Sequence, residues 1–141
     1  LIVIGILQRA ERQKIQTQRI QKYAFLVDQS LGEKLSLYQW KTYDYGPYSK
    51  RLHRDLERLT TKDLVEKITK QTYGGSTRTY YRHTQNGTQT LTDALDDDEN
   101  LSEVMDAIET VVDEQKNVPI SNIIRTVIKE NPEYQSNIYV Q

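Results

Sequence analysis

Four cations stand close together in the chain, Lys50, Arg51, Arg54 and Arg58, and positions 50, 54 and 58 are successive four-residue steps of an α-helix. Leu52, Leu56 and Leu59 fall on the other side of such a helix. The helix is therefore apolar where it meets a core and basic where it meets solvent. Lys and Arg displace counterions from phosphates, and Arg reads guanine edges bidentately when a helix enters the major groove of duplex DNA. Ser49, just ahead of the helix, suits an N-cap or a phosphate contact. The same charges also suit a solvated surface, because Asp55 and Glu57 lie among them at helical spacing.

A second basic element follows. Gly74-Gly75 is a hairpin signal, with Lys67 and Lys70 on one flank and Arg78 and Arg82 on the other. Thr72, Tyr73, Ser76 and Thr77 surround its tip. Basic flanks and small polar donors suit contact with phosphates and the minor groove. The candidate DNA-binding residues are thus Ser49, Lys50, Arg51, Arg54 and Arg58 on the helix. On the hairpin they are Lys70, Thr72, Tyr73, Ser76, Thr77 and Arg78. Gln16, Thr17, Gln18, Arg19 and Lys22 would add contacts from an earlier helix start.

These residues need elements to hold them. Leu1–Ala10 reads as a short apolar helix. Ile20, Tyr23, Ala24, Val27 and Leu31 form the stripe of a second helix, with Thr17 as its cap and Gly32 as its stop. Leu35 to Tyr45 favours β-structure, and Gly46-Pro47 breaks it. The basic helix is expected over about 48–59 and the hairpin over about 64–83, after which Thr84 caps another helix through Leu91 and Leu95. Beyond the acidic break at 96–100, apolar stripes predict helices over 101–115 and 119–130, with Pro119 in the first turn of the latter. The order helix, helix, strand, helix, strand, strand, helices implies a mainly α fold with a small antiparallel β-wing. That is a winged helix-turn-helix with additional C-terminal helices.

The segment Tyr45-Gly46-Pro47-Tyr48-Ser49, then Leu52, Leu56, Leu59 and the pair Leu64-Val65, resembles a recurrent winged-helix pattern. It is similar to the PadR-type regulators and, more closely, to the YwgA-like winged-helix proteins. Tyr80-Tyr81-Arg82-His83-Thr84-Gln85-Asn86-Gly87 resembles the segment that closes the wing, with His83 where Leu is usual. Asn131-Pro132-Glu133-Tyr134, followed by Ser136, is similar to the YwgA-like tail. Thr60-Thr61-Lys62-Asp63 departs from the pattern, which commonly has an acidic residue and Gly before the hydrophobic pair. The resemblance implies a winged helix. PadR-type proteins repress transcription, and related winged helices serve as antitoxin or protein-docking modules.

Charge divides the chain. Residues 1–90 hold 16 Lys/Arg and 8 Asp/Glu, whereas 91–141 hold 3 and 12, so the net charges are +8 and −9. Residues 1–95 are read as a DNA-binding domain and 96–141 as an acidic helical segment for packing or dimerisation. The expected partners are double-stranded DNA, a second copy of the chain, and a basic protein docked through the acidic C-terminal helices. The absence of cysteine excludes thiolate catalysis, disulfides and cysteine-based zinc sites, and suits a reducing cytoplasm. His53 and His83 are too few for an all-histidine zinc site. Asp96–Glu99 lacks the Gly and terminal ligand of a calcium loop. The apolar run at the start is too short to span a membrane. No Gly-rich phosphate loop, nucleophile elbow or His-Glu-x-x-His helix is present, so no catalytic residue, cofactor or metal is expected. The tyrosine cluster Tyr38, Trp40, Tyr43, Tyr45 and Tyr48 suits core packing, a stacking platform, or a pocket against the C-terminal helices.

Overall fold

The apolar run near the start of the chain becomes a helix that is buried almost all round, as an element without a polar stripe must be. A computed structural model describes residues 2–10, 14–32 and 38–135. In it α1 spans Ile2–Arg9, with Val3 to Leu7 all buried. A two-residue strand β1 (Ile15–Gln16) leads into α2 (Thr17–Leu31). Next come β2 (Lys41–Tyr43), β3 (Gly46–Tyr48), α3 (Lys50–Thr61), β4 (Val65–Gln71) and β5 (Thr77–His83). The chain continues through α4 (Gln85–Asp97), α5 (Glu99–Gln115), α6 (Ile120–Glu130) and a 3-10 turn at Pro132–Tyr134. The fold is mainly helical with a small antiparallel sheet, as expected. Among the described residues no helix is long and apolar enough to cross a membrane.

One expectation about local structure is corrected, and two pairings were not anticipated. Thr17 does not cap α2: Gln16 holds the cap position, and the Thr17 hydroxyl donates to the Thr79 carbonyl on β5. β1 was not expected. It pairs antiparallel with β5, Ile15 opposite Tyr81, giving a sheet of order β1-β5-β4. The β-favouring stretch before α3 forms its own hairpin, β2–β3, with Lys41 opposite Tyr48 and Tyr43 opposite Gly46. Of the other residues read from sequence, Leu1, Leu35, Leu37 and Ser136 lie outside the described residues.

The C-terminal helices share the core of everything before them. Leu101, Val104, Ile108, Val111 and Val112 of α5 lie in one apolar cluster with Ile4, Ile6, Ile20, Tyr23 and Leu52. Ile123 and Val127 of α6 belong to the same cluster. The stripes read as a packing or dimerisation surface are thus used within the chain. α1 and α5 approach closely at Gly5, where an added methyl would stand 2.9 Å from the Met105 sulfur. Arg19 ties α2 to the end of α5, donating to the carbonyls of Gln115 (3.2 Å) and Val118 (2.9 Å). The Gln115 carbonyl is one that the end of α5 leaves without an intrahelical donor, and Val118 lies in the linker between α5 and α6.

Candidate nucleic-acid interface

The position of α3 is fixed first by its apolar side. Leu52 and Leu56 are fully buried, each contributing roughly 1.5–3 kcal/mol of burial. Its start is fixed by three polar side chains, two from α2 and one from its own cap. Ser49 is fully buried, and its hydroxyl accepts from the Leu52 amide at 3.2 Å. The Gln21 side chain pairs with the Ser49 backbone at both ends, donating to its carbonyl (3.0 Å) and accepting from its amide (2.9 Å). Lys22, also buried, donates to the Pro47 carbonyl (3.1 Å) and to Gln18 (3.2 Å). Burial lowers its pKa from 10.5 to about 8, because a charged ammonium away from water is disfavoured. Gly46 makes the turn possible. Its φ of +97° is a region that side chains avoid, and it packs against Lys22 and Ile128.

That geometry settles where several expected site residues lie. Ser49 is a cap with no exposed surface, so it positions α3 and cannot itself touch a phosphate. Lys22, Arg19 and Thr17 are committed to carbonyls inside the chain and do not form an outer basic start to α2.

Lys50, Arg51, Arg54 and Arg58 are all exposed. At 100° per residue they cover an arc of about 100° on α3, opposite Leu52, Leu56 and Leu59. Each carboxylate beside the arc is engaged elsewhere. Asp55 accepts from the Tyr38 hydroxyl at 3.1 Å. Glu57 accepts from Lys67 (3.1 Å) and from the Tyr81 hydroxyl (3.3 Å), and His53 Nε2 lies 4.0 Å from it. These contacts hold the Glu57 carboxyl below its ordinary pKa, the Lys67 hydrogen bond foremost. Burial beside Asp55 pushes the Tyr38 hydroxyl well above the usual tyrosine range. Among the described residues no ion pair engages any of the four α3 cations. Gln39, just before β2, and Lys41, its first residue, join Lys50, Arg51 and Arg54 around a crevice of about 110 Å³. Lys41 was missed in the sequence because it lies nine residues before Lys50, and only the β2–β3 pairing brings the two together.

The wing is a regular ladder from Val65–His83 to Gln71–Thr77. Its tip turns through Gly75, and Thr72 and Ser76 close it by bonding to each other. Tyr73 is fully exposed there. The basic flanks divide. Lys67 is held by Glu57, and Arg82 by Glu66 at 2.6 Å. Lys70 and Arg78 are exposed and directly opposed. Alternation puts them on the face of the ladder opposite Val65, Lys67 and Tyr81, the residues turned toward the core and α3. Lys14, also missed, lies beside Lys70 and over the Tyr80 ring, at 4.5 Å from its centroid. The expected residues therefore form two basic groups, one along α3 and one on the far face of the wing.

The aromatic cluster divides as well. Tyr38 and Trp40 pack edge to face, and the Trp40 indole donates to Asp28 at 2.7 Å. Tyr43 stacks on Tyr48, and Tyr43 and Tyr45 are exposed. Between Trp40 and the C-terminal elements lies an open cleft of about 540 Å³, walled by Phe25, Asp28, Trp40, Glu133 and Tyr134. Among the described residues no three His, Asp or Glu side chains gather as a metal site would require. Compared with known proteins, the chain matches no family model and no curated sequence.

Proposed function

We propose that this chain is a winged-helix protein that binds duplex DNA and regulates transcription, with α3 in the major groove and β4–β5 as the wing. The observation that carries this reading is the α3 arc of four exposed cations, held on a rigid, capped helix whose two neighbouring carboxylates are bonded elsewhere. Rigid placement matters because base reading depends on angstrom-level geometry. The element order supports the fold assignment: α1, β1, α2, α3, β4, β5, with β1 paired to β5, follows the winged-helix plan with a hairpin inserted between the two central helices.

The acidic surface of α5 would be turned away from the duplex. A two-fold dimer would present two α3 helices to a palindromic site. It would be built from the outer faces of the terminal helices, since their apolar stripes are used inside the chain.

The placement of Lys70 and Arg78 on the far face of the wing favours a second reading, an adaptor that docks an acidic protein surface. Fluorescence anisotropy with a labelled random-sequence duplex separates the two. The DNA reading expects a Kd of about 1–100 μM near physiological salt, tightening as salt falls. Absence of binding even at low salt rejects it in favour of the adaptor.

A further inference from the structure

We infer that the crevice between the β2–β3 hairpin and the first turns of α3 is a seat for one phosphate group of the DNA backbone, with Lys41 as its cation from outside α3. This inference rests on the duplex-binding reading and extends it to a residue and an element that the reading does not itself require.

Lys41, Lys50, Arg51 and Arg54 line the crevice together with the Gln39 amide. All five side chains are exposed, and among the described residues none of the four cations has an ion-pair partner. Like charges gathered on one concavity repel unless an anion offsets them. The nearest carboxylate on α3, Asp55, is turned to Tyr38. Backbone pairing makes the gathering a property of the fold: Lys41 is the ladder partner of Tyr48, two residues before Lys50. The hairpin is stiffened by the Tyr43–Tyr48 stack, at 4.8 Å between ring centroids, and its root is pinned by Lys22 on the Pro47 carbonyl. At about 110 Å³ the crevice holds a few waters' worth of volume, at about 30 Å³ each. It therefore has room for a single tetrahedral oxyanion and not for a nucleoside. Three kinds of donor meet there: two guanidinium forks, two ammonium groups and one amide. A phosphate seated beside the start of α3 would set the register of the helix in the groove without reading sequence.

The test compares Lys41→Gln and Lys41→Arg with the wild-type chain in duplex anisotropy across a salt series, with Lys129→Gln on α6 as a control. Lys41→Gln is expected to lower the slope of log K against log salt by about 0.9 and to weaken binding equally for duplexes of different sequence. Lys41→Arg keeps the slope, and Lys129→Gln changes nothing. Lys41 is exposed, so thermal unfolding should be unaltered. In parallel, inorganic phosphate is titrated into the protein alone, and the amide resonances of residues 41, 50 and 51 are followed by NMR. They are expected to shift in the wild type and to shift less in Lys41→Gln. If Lys41→Gln leaves the slope unchanged while Arg54→Ala/Arg58→Ala lowers it, the seat is wrong and the duplex reading stands. If the wild type binds no duplex, the phosphate titration decides alone. Shifts at residues 41, 50 and 51 would then make a free phosphate the occupant, and no shifts would overturn the seat.

Discussion

Replacing Lys22 by methionine should change how stability depends on pH, in the direction that its burial dictates. Lys22 is 1 % exposed, and among the described residues its ammonium bonds to the Pro47 carbonyl and the Gln18 amide oxygen alone. Burial brings its pKa from 10.5 down to about 8. The folded state therefore gives up this proton before the unfolded state does, and the unfolded state holds more protons between those two values. Stability must rise with pH across that window. One pKa unit is worth about 1.4 kcal/mol, so the full effect is on the order of 3 kcal/mol, of which about 2 kcal/mol accrues between about pH 7 and about pH 9.5. Tyr38 and Tyr81 act in the opposite direction. Burial raises their pKa values, so the folded state keeps those protons longer, and their contribution fades as pH climbs above about 10. Both proteins carry these tyrosines, so their effect cancels in the difference. The assay is urea unfolding of wild type and Lys22→Met at the two pH values. The wild-type stability minus that of the variant should be about 2 kcal/mol more favourable at the higher pH. A difference that stays constant within a few tenths would refute a desolvated, protonated Lys22 beneath the turn into α3.

Two further substitutions test how α3 and the wing are joined. Gly87→Ala places a methyl against the Leu64 backbone carbonyl and disturbs the amide that Thr84 caps at 3.0 Å, so urea unfolding should show a loss of about 2–4 kcal/mol. Asp63 holds a φ of +59° in the turn from α3 to β4, and unfolding midpoints should rank Asp63→Gly above wild type by about 0.5 kcal/mol and Asp63→Val below it by about 1–2 kcal/mol.

The elements set by local signals were legible in the sequence. Leucines at helical spacing gave α3, Gly74-Gly75 gave the hairpin, and Thr84 marked the start of α4, where its hydroxyl accepts from Gly87. The left-handed turn at Asp63 falls where the winged-helix pattern usually has Gly, which is why that departure was visible before its cause. What was not legible depended on distant pairings. β1 is two residues long and exists because Tyr80 and Tyr81 lie opposite it. Arg19 and Lys22 look like outer cations on a polar helix face, yet the end of α5 and the Gly46-Pro47 turn bring carbonyls to them. Periodicity reports which side of a helix is polar, not whether that side meets water or another backbone. Lys41 was hidden for the same reason, and so was the separation of Lys70 and Arg78 from the α3 arc, which follows from strand alternation about a register that the sequence does not specify.

The most direct test of the central claim is the salt dependence of duplex binding by the wild type and by Arg54→Ala/Arg58→Ala, measured side by side. Both side chains are exposed and unpaired among the described residues, so the variant should fold normally. If α3 lies along the DNA, the wild type binds with affinity that falls steeply as salt rises, and the variant loses about 1.8 from the log–log slope along with much of its affinity. Equal slopes and affinities for the two proteins would contradict it, because the α3 arc would then take no part in holding the duplex.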